Sequence, residues 1–76
     1  MWEEIDNKLC KSFIFNDFSE ALGFICRVGL LAEQQNHHPE IWNIYNRVTI
    51  SLQTHDAGNI ITEKDHHLAS SIDQLL

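Results

Sequence analysis

The chain is poor in the residues that staple, break or positively charge a fold. Two cysteines in 76 residues cannot make a disulfide framework, and Cys10 and Cys26 both have apolar neighbours, which suits reduced, packed thiols. One proline, Pro39, and three scattered glycines provide no linker, and no segment is repeated or of low complexity. A single domain over residues 1–76 is expected. Lysine and arginine total five against eleven aspartates and glutamates, a formal charge of −6. A phosphate-binding surface needs a basic patch, so this balance argues against nucleic acid as a direct partner and against an anionic membrane surface. Long apolar runs are also missing. The longest, "FICRVGLLA", contains Arg27 and falls far short of the roughly 20 residues that span a bilayer. The N-terminal "MWEEIDNK" is acidic and holds no apolar signal region, so the expected location is cytoplasmic.

The residues present are patterned for a small α+β domain. A chain of this size buries only roughly 60% of its unfolded surface, so its core is thin and association with further copies would help. "SFIFN" (12–16) is rich in β-formers and reads as a short strand. "DFSEALGFICRVGLLAEQQ" (17–35) reads as a helix capped by Asp17, with Glu20 at the capping-box position. Phe18, Ala21, Leu22, Ile25, Val28, Gly29 and Ala32 share one face at helical spacing. Phe24 and Leu31 widen that stripe on one flank, and Cys26 and Leu30 on the other. A stripe this wide suits a deeply packed helix or one that also meets a partner subunit. "EIWNIYN" (40–46) and "RVTISLQT" (47–54) read as adjacent antiparallel strands. In the second, Val48, Ile50 and Leu52 alternate with Arg47, Thr49, Ser51 and Gln53, giving one apolar and one wetter face. "HDAGNII" (55–61) is a turn-rich loop. A second helix over about 62–75 opens on Thr62 with Asp65 three residues on, and carries Leu68, Ile72 and Leu75 inward. The expected fold is a small antiparallel sheet with helices packed on one face, in the order strand-helix-strand-strand-helix.

Histidines carry the chemical signal. His37 and His38 end the loop after the first helix, directly before Pro39, and His55 follows the third strand. If the two strands form a hairpin, the start of one lies beside the end of the other, and the three imidazoles meet at one sheet end, with Glu33 one helical turn before His37. Metal binding is one reading, because histidine is a common zinc ligand. Adjacent side chains on an extended segment point apart, however, and no Cys-x-x-Cys or His-x-x-x-His spacing accompanies them. Proton transfer asks for less geometry, since imidazole titrates near neutrality. Plain surface exposure is the third reading. His66 and His67, in the first turns of the second helix, fit that description best.

The run "AEQQNHHPEIWNIYNRVTISLQTH", a glycine-containing loop and "TEKDHHLAS" resemble the pterin-4a-carbinolamine dehydratases, also called 4a-hydroxytetrahydrobiopterin dehydratases or dimerisation cofactors. Trp2, Leu9, "FIF" and "DFSEALGF" extend the likeness through the N-terminal half. The resemblance implies a hydro-lyase that removes water from 4a-hydroxytetrahydropterin to give quinonoid dihydropterin, recycling the pterin used in aromatic amino acid hydroxylation. It implies no metal and no organic cofactor, a pterin as small-molecule partner, and a homodimer or homotetramer. The family's three catalytic histidines fall on His37, His38 and His55. Its pterin-contacting backbone falls on His37, His38 and Pro39 and on Thr54, His55, Asp56 and Ala57; Glu33, Asn36 and Asp65 complete the expected substrate-binding set, with an aromatic side chain able to cover the ring. Departures are visible. Asn36 stands where an acid often precedes the two histidines, Lys64 replaces an arginine of some members, and the His55–Asp65 loop is one residue longer. Trp42 falls one place after the tryptophan of some relatives, where this chain has Ile41, so alternation turns it to the other sheet face. A non-catalytic dimerisation or protein-binding module, and a pterin-binding protein of another pathway, are the alternatives.

Overall fold

A computed structural model describes residues 1–76. Four strands make one antiparallel sheet: β1 (Glu3–Ile5), β2 (Lys8–Ile14), β3 (Glu40–Ile44) and β4 (Arg47–Leu52), in the spatial order β1-β2-β4-β3. Two helices, α1 (Phe18–Gln35) and α2 (Glu63–Asp73), and a short 3₁₀ turn at His55–Ala57 complete the chain. The α+β class and the strand-helix-strand-strand-helix order are as the sequence indicates, with one strand added at the front. The turn between β1 and β2 is Asp6-Asn7, both left-handed at φ 51° and 62°. That geometry matches the twist of two antiparallel strands, and Asp and Asn tolerate it at low cost. The strand expected at 12–16 is β2, which starts at Lys8, four residues before the expected Ser12, and ends at Ile14.

Alternation decides which side of the sheet the helices cover. Leu9 and Phe13 of β2 pair with Leu52 and Val48 of β4. Together with Ile50 they form the sheet's contribution to a buried apolar core. The helices add Ala21, Phe24, Val28 and Ala32 from α1 and Leu68, Ala69 and Ile72 from α2. Phe24 stacks at a tilt on Phe13 and Phe15, with ring centroids 4.8 and 4.9 Å apart. The inward spine of α1 thus runs through Phe24 rather than through the expected centre at Ile25. Phe18 and Leu22 are nearly half exposed, Leu30 is 73% exposed, and a Cβ at Gly29 would meet nothing within 4 Å. Cys26 is exposed as well, so it is not the packed thiol expected from its neighbours. Both sheet and α2 lie on the Phe24 side, which leaves the Leu30 side of α1 bare in a single protomer.

One position breaks the β2 pattern. Lys11 pairs with Ile50 and so points toward the helix side. Its ammonium lies 2.8 Å from Asp73 and over the rings of Trp2 and Phe13. Asp73 also accepts from the indole N–H of Trp2. An acidic residue at a helix C-terminus opposes the macrodipole, and Lys11 offsets it while tying α2 to the N-terminal hairpin.

Candidate active site

The loop from α1 to β3 is shaped by Asn36. It takes the left-handed conformation at φ 51°, which Asn reaches more easily than any residue but glycine. Its N–H and that of His37 close the last turn onto Glu33 and Ala32 carbonyls. The helix therefore stops one residue before the histidine pair, and the chain leaves with His37 turned inward and His38 outward. At the start of α1, Asp17 accepts from the Glu20 amide. The Glu20 carboxylate reaches back past the cap to Asn16, on its backbone and side-chain amides.

The β4 end is set by a loop that folds back on Thr54. The Thr54 N–H donates to the Ile60 carbonyl and its own carbonyl accepts from Asn59. Its hydroxyl lies 2.6 Å from the Thr62 hydroxyl and donates to Asp65. Every polar group of Thr54 is thus engaged within the protein. Thr62 caps α2 by accepting from the Lys64 amide, and the Asp65 carboxylate accepts from the Thr62 amide, the expected capping box.

Asp65 links the two segments. It is fully buried, and its carboxylate meets His37 Nε2 at 2.5 Å while holding the Thr54 hydroxyl and the Thr62 amide at 2.8 Å. Burial alone would push its pKa up; hydrogen bonds from His37, the Thr62 amide and the Thr54 hydroxyl outweigh it and hold the carboxyl below the ordinary value of 3.8. A buried anion with three donors is satisfied rather than stranded. Because Asp65 can only accept, Nε2 of His37 carries its proton in either charge state, and Nδ1 is the nitrogen left to exchange protons.

Three imidazoles reach one cleft, each with a different support. The cleft, of about 220 Å³, is lined by Asn36, His37, His38, Gln53, Thr54, His55, Asp56 and Lys64. His38 is exposed, and its Nε2 lies 2.9 Å from Glu33 on the last turn of α1. His55 Nδ1 lies 2.8 Å from the side-chain oxygen of Asn59. Of the other expected site positions, Glu33 stands behind His38 and Asp65 beneath His37 and Thr54. Pro39 is outside the lining, and Ala57 borders an adjoining shallow hollow with Thr62, Glu63 and Lys64. His66 and His67 lie on the exposed side of α2. Three residues escaped the sequence reading of the site: Gln53 and Lys64 in the lining, and Asn59 behind His55. For Asn59 the available signal was an Asn after Gly58, four residues from His55. No apolar or aryl side chain lines the cleft, so the expected aromatic cover is not supplied from within this protomer. Trp42 pairs with Thr49 and Ile41 with Ile50, which puts Trp42 on the open sheet face and Ile41 on the helix side. No three His, Cys, Asp or Glu side chains stand close enough together to hold a metal ion.

The family model for pterin 4 alpha carbinolamine dehydratase matches residues 1–75. A protein of Solibacter usitatus, provisionally named pterin-4-alpha-carbinolamine dehydratase, is 50% identical over 74 residues, covering 97% of this chain and 77% of its own. A relative from Rhodospirillum rubrum with the same provisional name is 53% identical over 68 residues, covering 90% of this chain and 70% of its own. Among solved structures, a transcriptional coactivator/pterin dehydratase from Brucella melitensis superposes with a TM-score of 0.90 at 41% identity, over 96% of this chain and 79% of that one. A pterin dehydratase-like protein identified as a RuBisCO assembly factor of the alpha-carboxysome shares the fold, with a TM-score of 0.78 at 24% identity, over 99% of this chain and 86% of that one. By sequence and by fold, the chain belongs to the pterin-4-alpha-carbinolamine dehydratase family.

Proposed function

We propose that the protein is a 4a-hydroxytetrahydropterin dehydratase working by histidine acid–base catalysis. The observation that carries this reading is the cleft itself: three imidazoles around one polar hollow, two backed by carboxylates and one by a neutral amide. Expelling the 4a-hydroxyl as water requires a proton on its oxygen, and forming the C4a=N5 bond requires removing the proton from N5. Two histidines with opposite proton loads meet both needs, and each such group typically contributes about 10²–10⁴-fold. His37 and His55 form the proton-transfer pair, and His38, held by Glu33, orients the substrate or shares the proton. Loss of water changes no oxidation state, so the reading calls for proton transfers and no electron carrier. Gln53, Asn36 and the backbone beside His38 and Asp56 supply polar groups for the edge of a flat heterocycle.

The wild-type protein should speed dehydration of freshly prepared 4a-hydroxytetrahydropterin well above the uncatalysed rate, followed by the absorbance of the quinonoid product. Dialysis against a strong chelator should change neither that rate nor the melting temperature. An uncatalysed rate in the presence of folded protein, or activity that is lost with the chelator and restored by zinc, would overturn the reading.

A second reading draws on α1. Its bare face carries Phe18, Leu22 and Leu30 exposed, and relatives of this fold include a protein described as a coactivator and one described as an assembly factor. The face suits self-association into a homodimer or homotetramer, or a protein partner, alongside catalysis. A cytoplasmic location is part of the same proposal; no helix is long and apolar enough to cross a membrane.

A further inference from the structure

We propose that Asn59 is a positioning residue that locks His55 with its proton on Nδ1, leaving Nε2 as the proton-accepting nitrogen of the cleft. An amide oxygen can only accept, so the 2.8 Å contact between His55 Nδ1 and Asn59 Oδ1 requires the hydrogen on Nδ1. Which ring nitrogen of a histidine is protonated follows the hydrogen bond the other one makes. Nε2 of His55 has no hydrogen-bond partner within the protein, and the ring lines the cleft.

The amide is placed by its backbone. Asn59 is left-handed at φ 61°, its N–H donates to the Thr54 carbonyl at 3.1 Å, and its carbonyl accepts from the Gln53 side chain at 3.0 Å. Next to it, the Thr54–Ile60 bridge closes the loop, and Gly58 N–H returns to the His55 carbonyl. The loop thus folds over Thr54 and delivers one side-chain oxygen to one imidazole nitrogen.

The contrast with the other two histidines gives the device its purpose. His37 and His38 meet carboxylates, of Asp65 and Glu33. His55 alone meets a neutral acceptor, which selects a tautomer without adding charge. The titratable or charged groups sharing its cleft are His37, His38, Asp56 and Lys64. Resting on the dehydratase reading, the step balances as follows. The lone pair on His55 Nε2 takes the N5 proton, and the electrons of the N5–H bond form C4a=N5. The C4a–O bond breaks with its electrons on oxygen, a carboxylate-backed imidazolium gives that oxygen a proton, and water leaves. The two imidazoles then exchange protons with solvent.

Nitrogen-15 NMR of histidine-labelled protein at about pH 9, where imidazole is neutral, reads the tautomer directly. Wild type should show His55 protonated on Nδ1. Asn59→Gly, which keeps the left-handed backbone but removes the amide, should shift His55 toward Nε2–H and lower kcat about tenfold at little change in KM. Asn59→Asp should restore the Nδ1–H pattern and move the acidic limb of the kcat/KM profile up by about one unit. An Nε2–H signal in wild type, or an unchanged tautomer in Asn59→Gly, would overturn the proposal. A tautomer shift in a protein that does not dehydrate the pterin would instead sink the dehydratase reading and leave Asn59 as the lock on His55.

Discussion

Asp65 holds a negative charge where solvent does not reach, and the whole cleft leans on it. Its hydrogen-bond partners come from three segments: His37 after α1, Thr54 at the end of β4, and Thr62 before α2. Its pKa is lowered in the folded state, so folding favours the ionised form. The stability this confers is fully present above the ordinary aspartate value of 3.8 and is lost as pH falls through the still lower folded value. Asp65→Asn should cost about 1–3 kcal/mol at pH 7, because one buried donor loses its acceptor. The gap between variant and wild type should close at the acid end. Urea unfolding at pH 7, 5 and 3 checks this; a gap that stays constant with pH would count against it. The role was partly legible in the sequence. Asp65 was visible as a capping residue and as a family position, but its bonds to His37 and Thr54 cross 28 and 11 residues of chain. No local pattern encodes contacts of that kind.

Helices and strands place the site by where they stop. Asn36 ends α1 in the left-handed region and thereby separates the inward His37 from the outward His38. Asn36→Gly should leave stability nearly unchanged, whereas Asn36→Ala should cost about 1–2 kcal/mol from the same backbone geometry. Thermal melting of both variants tests this, and equal melting points would contradict it. The elements themselves were readable where pattern and burial agree, as in β4, whose Val48, Ile50 and Leu52 alternate and are all buried. The N-terminal hairpin was not. Glu3 and Glu4 hide a three-residue strand, Asp6-Asn7 is a weaker turn signal than Asn-Gly, and Lys11 interrupts the apolar alternation of β2 because Asp73 waits for it inside. On α1 the apolar stripe is wider than the core it covers, so sequence periodicity could not tell the buried Phe24 side from the bare Leu30 side. Asn59 escaped notice because its function depends on a loop's backbone angles, which residue spacing does not reveal.

At the scale of the whole molecule, a thin core and a bare helix face both point outward. Light scattering at micromolar concentration should give a mass well above the 8.8 kDa of one chain. Leu30→Glu, at a largely exposed position of the monomer, should lower that mass without loss of circular dichroism. A clean monomer in wild type would remove self-association from the account and leave the bare face to another protein. The proposed catalysis makes the sharper demand, because it would divide the five histidines into two classes. His37 and His55 line the cleft and are held by Asp65 and Asn59, whereas His66 lies exposed on α2 without a side-chain partner. The most direct test is the initial rate of 4a-hydroxytetrahydropterin dehydration by His37→Ala, His55→Ala and His66→Ala, with circular dichroism as the folding control. A loss of about 10²–10⁴-fold is expected for each of the first two and a wild-type rate for the third. Near-normal rates in folded His37→Ala and His55→Ala would contradict it.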